Sequence, residues 1–213
     1  WRSMSRKAET ISEETKTRLL QAATEEFAEY GYERSSLRRI CKNAEVTTGA
    51  LYFFFQDKED LFQSVIAPVT EPVLQMMESH YEKERECNWK ELGDARGEEE
   101  DIRASFAILD ICYGNKKVTD IILSSRNLPV VTAFFDRMIE IMDMQTVHLL
   151  KLADGNSISV QNKYAIHWFS HLQIDAMLNV ISHGLGEEEA KEQLKIAIRF
   201  LRGGFQTFAE SGQ

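Results

Sequence analysis

His167 and His171 stand four residues apart, with Asp175 one helical turn further on. On one helix face that spacing can chelate a divalent ion. No HExxH motif and no third clear ligand accompany it, so the trio is read as polar interface residues and no metal is expected. The chain also lacks a phosphate loop, a GxSxG motif, a dinucleotide fingerprint and any nucleophile–base constellation. An enzyme is therefore not expected, nor is a cofactor. What the sequence offers instead is affinity for anions. Arg34, Arg38, Arg39, Lys42 and Lys58 cluster around Thr47 and Thr48. Guanidinium and ammonium groups neutralise phosphates.

The overall charge runs against that reading. The 213 residues carry 25 Lys+Arg and 34 Asp+Glu, a net −9, whereas a nucleic-acid binder is usually basic. The acidity is unevenly spread. Residues 1–58 hold 10 basic and 9 acidic side chains, a net +1, and residues 59–213 hold 15 and 25, a net −10. A locally basic face on an acidic protein binds DNA with modest non-specific affinity. Cys41, Cys87 and Cys112 are odd in number, lie far apart and form no CxxC pair, so a reducing cytoplasm is the expected location. No apolar run approaches a membrane span, and the N-terminus has no apolar signal core.

These side chains must be positioned by helices, because the apolar periodicity is helical almost throughout. A first helix is predicted from about Ser12 to Tyr30, closed by Gly31 in a left-handed conformation. Ser35 and Ser36 cap a short helix over Leu37–Asn43, and Thr47 and Thr48 cap another over Gly49–Phe54. Asp57 caps a fourth, which Pro68 is expected to interrupt before Pro72 restarts it. Residues 86–101 read as a polar loop. Further helices are predicted at about 102–113, 116–126, 129–153, 159–183 and 187–210. The expected fold is all-α, with about nine helices. Its domains are expected at 1–58 and 59–213. The short helix–turn–helix needs the preceding helix to close a core of Leu20, Ala23, Phe27, Leu37, Ile40, Cys41, Ala44, Val46, Leu51 and Phe55.

The run Leu-x-x-Ala-Ala-x-x-x-Phe-x-x-x-Gly-Tyr, then Ser-Ser-Leu-Arg-x-Ile, Ala-x-Val-Thr-x-Gly-x-Leu-Tyr and Lys-Glu-Asp-Leu-Phe, covers roughly residues 17–62. Together these elements resemble the DNA-binding domain of the TetR (tetracycline-repressor-like) transcriptional regulators. The resemblance implies that the third helix enters the major groove, with Thr47, Thr48, Gly49, Ala50 and Phe53 on or near the groove face. It implies phosphate contacts from Tyr52 and Lys58. Ser36 at a helix N-terminus, with Arg38 and Arg39 beside it, suits an anion. Two positions depart from the family pattern. Glu45 stands where Gly is usual in the turn, which predicts modest left-handed strain or a slightly different turn, and Phe54 stands where His or Tyr is usual, which removes a polar atom near the DNA backbone.

The larger half matches that family only in helical layout. In its last helix Ile198, Leu201, Gly204, Phe205 and Phe208 form one apolar stripe, and Ile196, Phe200 and Gly203 a second. Two stripes require two buried surfaces. The resemblance implies a homodimer through the last two helices, and His171, Asp175, Leu178, Ile198, Leu201, Gly204, Phe205 and Phe208 are the candidate interface. Phe106, Leu109, Asp110, Tyr113, Phe134, Phe135, Met138, Met142 and Trp168 are the candidate lining of a pocket for a small apolar or amphipathic effector. The expected function is a DNA-binding transcriptional regulator, a repressor released from a pseudo-palindromic operator by its ligand, with Pro68 in the transmitting element. The alternative is a small-molecule-binding or enzymatic helical protein with an incidental helix–turn–helix.

Overall fold

The computed structural model describes residues 2–86, 95–154 and 160–210. Among these residues there are nine helices and no strand, as the periodicity requires. They are α1 (Arg2–Arg34), α2 (Leu37–Asn43), α3 (Thr48–Phe54), α4 (Lys58–Glu84), α5 (Ala95–Gly114), α6 (Lys116–Ser124), α7 (Pro129–Asp154), α8 (Val160–Ser182) and α9 (Glu187–Glu210). Cys87, the Gly93 portion of the expected loop, the Gly155 break and residue 159 at the expected start of α8 lie outside the described residues.

The chain packs as two compact units. The first comprises Trp1–Thr70 with Asn115–Val131, and the second Glu71–Gly114 with Thr132–Gln213. The boundary thus falls inside α4, later than residue 58, and α6 belongs with the N-terminal helices. It packs on α1, burying Thr119, Ile121 and Ile122, and Lys117 Nζ meets the Glu25 carboxylate at 2.5 Å.

In the first unit α1 packs on α2 and α3 around Leu19, Ala23, Phe27, Ile40, Cys41, Leu51 and Phe55. Leu19 is fully buried where periodicity alone pointed to Leu20, which is half-buried. Phe27, Tyr32 and Phe62 meet in a three-ring cluster, with centroids of each to Phe62 5.1 Å apart. Gly31 breaks α1 at φ 71, a conformation open to glycine, after which the chain reaches Arg34. One acid lies within this core. Glu26, 2 % exposed, accepts the Ser36 main-chain N–H at 2.7 Å and the Arg39 Nε–H at 2.8 Å on the same oxygen. Its neighbours in type, Glu25 and Glu29, are exposed on the same helix. Yet positions 19, 22, 23, 26 and 27 share one helical face, and that spacing carried the signal.

Two expectations are corrected by the structure. Pro68 does not interrupt the fourth helix: α4 runs unbroken through Pro68 and Pro72. The Pro68 ring is exposed, while Leu61, Phe62, Val65, Ile66, Val69, Val73 and Met77 are buried along the same helix. Burial on both sides of the prolines outweighs their missing hydrogen bonds. The stretch 95–101, expected as loop, is the start of α5. Its acids are matched by tertiary partners: Glu98 pairs with Arg199 at 2.8 Å and Asp101 with Arg202. Acids in a first turn also suit the helix dipole.

In the second unit α9 packs on α5 and α8. Phe169 stacks on Phe205 at 5.4 Å, and Leu150, Ile166 and Ala209 form a small core with Val147 and Phe208 against it. Arg137 joins α7 to α4 through Glu78 at 2.8 Å.

Glu45 adopts φ 55, the left-handed strain anticipated for a non-glycine residue in this turn. Left-handed backbone costs a side-chain-bearing residue about 1–2 kcal/mol, and glycine gives back roughly half of any gain through unfolded-state entropy. Glu45→Gly is therefore expected to stabilise the fold by roughly 0.5–1 kcal/mol, seen as a higher urea midpoint; an unchanged or lower midpoint would contradict the strain. Glu26→Ala strands two donors and is expected to cost about 3 kcal/mol in the same assay. A loss below about 1 kcal/mol would show that the carboxylate is dispensable.

Candidate nucleic-acid interface

Both short helices are fixed by their own caps. The Ser36 hydroxyl accepts the Arg39 N–H at 3.5 Å at the head of α2, and the Thr47 hydroxyl accepts the Ala50 N–H at 3.1 Å at the head of α3. One threonine suffices for the cap, so Thr48 is left in the first turn of α3 and exposed. Leu51 and Phe55 turn inward to the core. The opposite side presents Thr48, Gly49, Tyr52 and Phe53 at helical spacing, with Tyr52 57 % and Phe53 78 % exposed. Ala50 is half-buried at the edge of this row. Of the three consecutive phenylalanines, Phe55 is buried, Phe54 is half-buried with its ring edge-on to Phe53, and Phe53 faces out. A Cβ on Gly49 would meet only Thr47 Oγ1, at an ordinary 3.8 Å. The protein's own packing therefore does not require glycine there.

The basic residues divide by role. Arg38 is exposed on α2. Arg39 is held to Glu26, donates from Nη2 to the Arg34 carbonyl at 2.8 Å and lies 4.4 Å over the Tyr30 ring. Its guanidinium fastens α2 to α1. Ser36, expected to receive an external anion, already donates its N–H to the Glu26 carboxylate. Lys58 Nζ donates to the carbonyls of Ser35 at 3.0 Å and Glu33 at 3.4 Å, and stands 4.6 Å over the Tyr32 ring. Burial pushes its ammonium pKa below the usual lysine value. The Asp57 side chain caps α4 through the Asp60 N–H at 2.9 Å, and Asp60 accepts the Gln56 N–H in return.

The second unit contains a cavity of about 520 Å³. Met76, Met77, Met138, Met142, Met177 and Phe169 are prominent in its apolar wall. Of the residues expected to line a pocket, Met138 and Met142 do so. Leu109, Phe134 and Phe135 are buried in packing, and Phe106 lies under Lys191 and Lys195. Asp110 pairs with Lys191 at 2.8 Å, and the Tyr113 hydroxyl donates to the Leu185 carbonyl at 2.9 Å. Trp168 is exposed and edges a smaller recess of about 120 Å³. One wall of the main cavity is polar: His80, Glu84, Asp101, Gln145 and Arg202 gather there. Burial, the largest single influence, pushes the His80 imidazole down. Hydrogen bonds and charge from Asp101 and Glu84 together outweigh it and hold the pKa at about 9.

The outer sides of α8 and α9 carry an apolar surface: Tyr164 is 82 % exposed, Trp168 64 %, Ile196 62 % and Phe200 79 %. His171 and Asp175 are exposed on α8, and Gly203 and Gly204 are exposed on α9. The other residues expected at the interface are half-buried. Ile198, Leu201 and Phe205 line the cavity, Phe208 packs on the Leu150 cluster, and Leu178 is half-buried.

Residues 19–65 match the sequence profile described as bacterial regulatory proteins, tetR family. The HTH-type transcriptional regulator UidR of Escherichia coli strain K12 is 41 % identical over 58 residues, 27 % of this chain and 30 % of that protein. The HTH-type transcriptional repressor BepR of Brucella suis biovar 1 is 40 % identical over 72 residues, 34 % of each chain. The chain thus spans about a third of the length of these curated relatives. SmeT, the repressor of the Stenotrophomonas maltophilia multidrug efflux pump SmeDEF, has the same fold, with TM-score 0.62, 19 % identity and coverage of 90 % of this chain and 91 % of that one. The helix–turn–helix of residues 19–65 thus matches that of the tetR family of bacterial regulatory proteins.

Proposed function

We propose that the protein is a DNA-binding transcriptional regulator, acting as a ligand-released repressor on a pseudo-palindromic operator. The observation that carries this reading is the outward row Thr48, Gly49, Tyr52 and Phe53 on a helix locked by its own cap and core. A glycine that the fold does not need, beside hydroxyl and aromatic groups, suits close approach of backbone to a groove wall. Arg38 supplies free-standing positive charge at the next helix, and Lys58 retains a third N–H for a phosphate beyond its two carbonyl bonds. Arg39 and Ser36 act indirectly, by fixing the angle of α2.

The protein is read as a homodimer through the exposed side of α8 and α9, built on Tyr164, Trp168, Ile196 and Phe200. No atom lies within 4 Å of a Cβ placed on Gly203 or Gly204, so a partner helix can come close there. Dimer symmetry spaces the two recognition helices near one DNA turn or a multiple of it. The methionine-rich cavity supports a small apolar or amphipathic effector. Binding that favours one dimer geometry over another shifts operator occupancy by its differential affinity. SmeT, a fold neighbour, has been solved in complex with triclosan. The action is assigned to the cytoplasm, where the operator lies.

Selection of bound DNA from a random pool tests this reading directly, with a two-fold symmetric site as the expected result; no enrichment above background would overturn it. On the selected site, Arg38→Ala is expected to weaken binding to all sequences and lower the salt slope by about one unit. Tyr52→Phe is expected to weaken binding uniformly as well. Thr48→Ala is expected to relax base preference at one position of each half-site, by about 1–3 kcal/mol. Light scattering at micromolar concentration is expected to give a dimer mass for the native chain. Phe200→Asp combined with Trp168→Ser is expected to give a monomer with unchanged helix content. A native monomer, or a double variant that stays dimeric, would refute the interface.

A further inference from the structure

We propose that His80, Glu84 and Asp101 form a binding site for one divalent first-row transition ion on the wall of the second unit's cavity. His80 and Glu84 stand four residues apart on α4, and Asp101 comes from α5. His80 Nε2 is 3.2 Å from Asp101 Oδ1 and 3.4 Å from Glu84 Oε1. All three ligand atoms lie within 4.8 Å of one another. Bonds of about 2.0–2.1 Å at tetrahedral angles set neighbouring ligand atoms about 3.3 Å apart, which the two edges from His80 match. A single N–H on Nε2 directs itself at one carboxylate, whereas an ion at the centre of the three is met by all of them.

The surrounding groups orient the ligands. Gln145 donates to Glu84 Oε2, and Arg202 donates to Asp101 Oδ2. Each takes the far oxygen of its carboxylate, which leaves Oε1 and Oδ1 directed at His80. Metal-binding carboxylates are held by such outer hydrogen bonds. The three ligands are largely buried yet line the 520 Å³ cavity, so an ion has a path in and a coordination position facing the cavity. One nitrogen and two oxygens suit Zn²⁺, Co²⁺ or Mn²⁺ better than Ca²⁺. Ligation uses the Nε2 lone pair, so any proton on that nitrogen leaves to solvent on binding.

The exposed pair on α8 differs. His167 and His171 approach at 3.2 Å between Nε2 atoms, and the other His167 nitrogen bonds Asp143 at 2.9 Å. That arrangement supplies two nitrogens and no carboxylate at the same centre, and it serves as the internal control.

The test titrates the full chain with ZnCl₂ by calorimetry and with CoCl₂ by visible absorbance. One ion per chain is expected, with Co²⁺ giving the intense d–d bands of a low-coordinate site. His80→Gln and Asp101→Asn are expected to abolish binding, and His167→Ala with His171→Ala to leave it unchanged. Gln145→Leu keeps all three ligands, and is expected to weaken binding about 10- to 100-fold, which keeps the test decisive should a ligand variant misfold. No binding by the native chain, binding lost in the α8 control alone, or full affinity in Gln145→Leu would each overturn the site. None of these readouts involves DNA, so the site stands or falls apart from the regulatory reading.

Discussion

A carboxylate in an apolar core costs several kcal/mol unless its charge and lone pairs are matched. Glu26 meets that condition by reaching the first residue of the helix–turn–helix. It receives the Ser36 N–H and the Arg39 guanidinium, and Arg39 in turn closes on the Arg34 carbonyl and the Tyr30 ring. The short helix α2 has one turn of buried contact, through Ile40 and Cys41, and such a helix is not stable alone. Its orientation therefore depends on this ionic anchor. Since α3 packs on both α2 and α1, the placement of Thr48, Tyr52 and Phe53 rests in part on this carboxylate.

The helix–turn–helix was legible in the sequence because its determinants are local. A cap residue acts within three positions, a glycine acts at its own φ, and a turn residue such as Glu45 announces its strain wherever glycine is absent. Glu26 was not legible by residue type, since glutamate at a surface is the ordinary case. Only its place among Ala22, Ala23 and Phe27 marked it. The proline rule failed at Pro68 for the opposite reason: a local penalty met a long buried face that no local rule counts.

The second unit was legible in kind more than in detail. Two apolar stripes on α9 implied two surfaces, but apolarity does not say which stripe faces in. Packing on α5 and α8 decides it, sending Leu201 and Phe205 inward and leaving Phe200 outside. Large aromatics were expected at the pocket, yet Phe134 and Phe135 fill their own volume as core, and flexible methionines border the free space. The His80 cluster was invisible to spacing because its third member comes from α5, and the acidic run containing Asp101 read as loop until Arg199 and Arg202 were seen to answer it.

Pro68 and Pro72 each lack a main-chain donor, so the Ser64 and Pro68 carbonyls lose their usual i+4 partners within α4. The boundary between the two compact units, at Thr70 and Glu71, falls between these prolines. A helix resists bending largely because flexing stretches its hydrogen bonds on the convex side. Where two bonds one turn apart are already missing, that resistance is lower. The element is therefore continuous in form and compliant at one turn, much as a beam thinned at a single section bends there under loads that leave the rest of it straight.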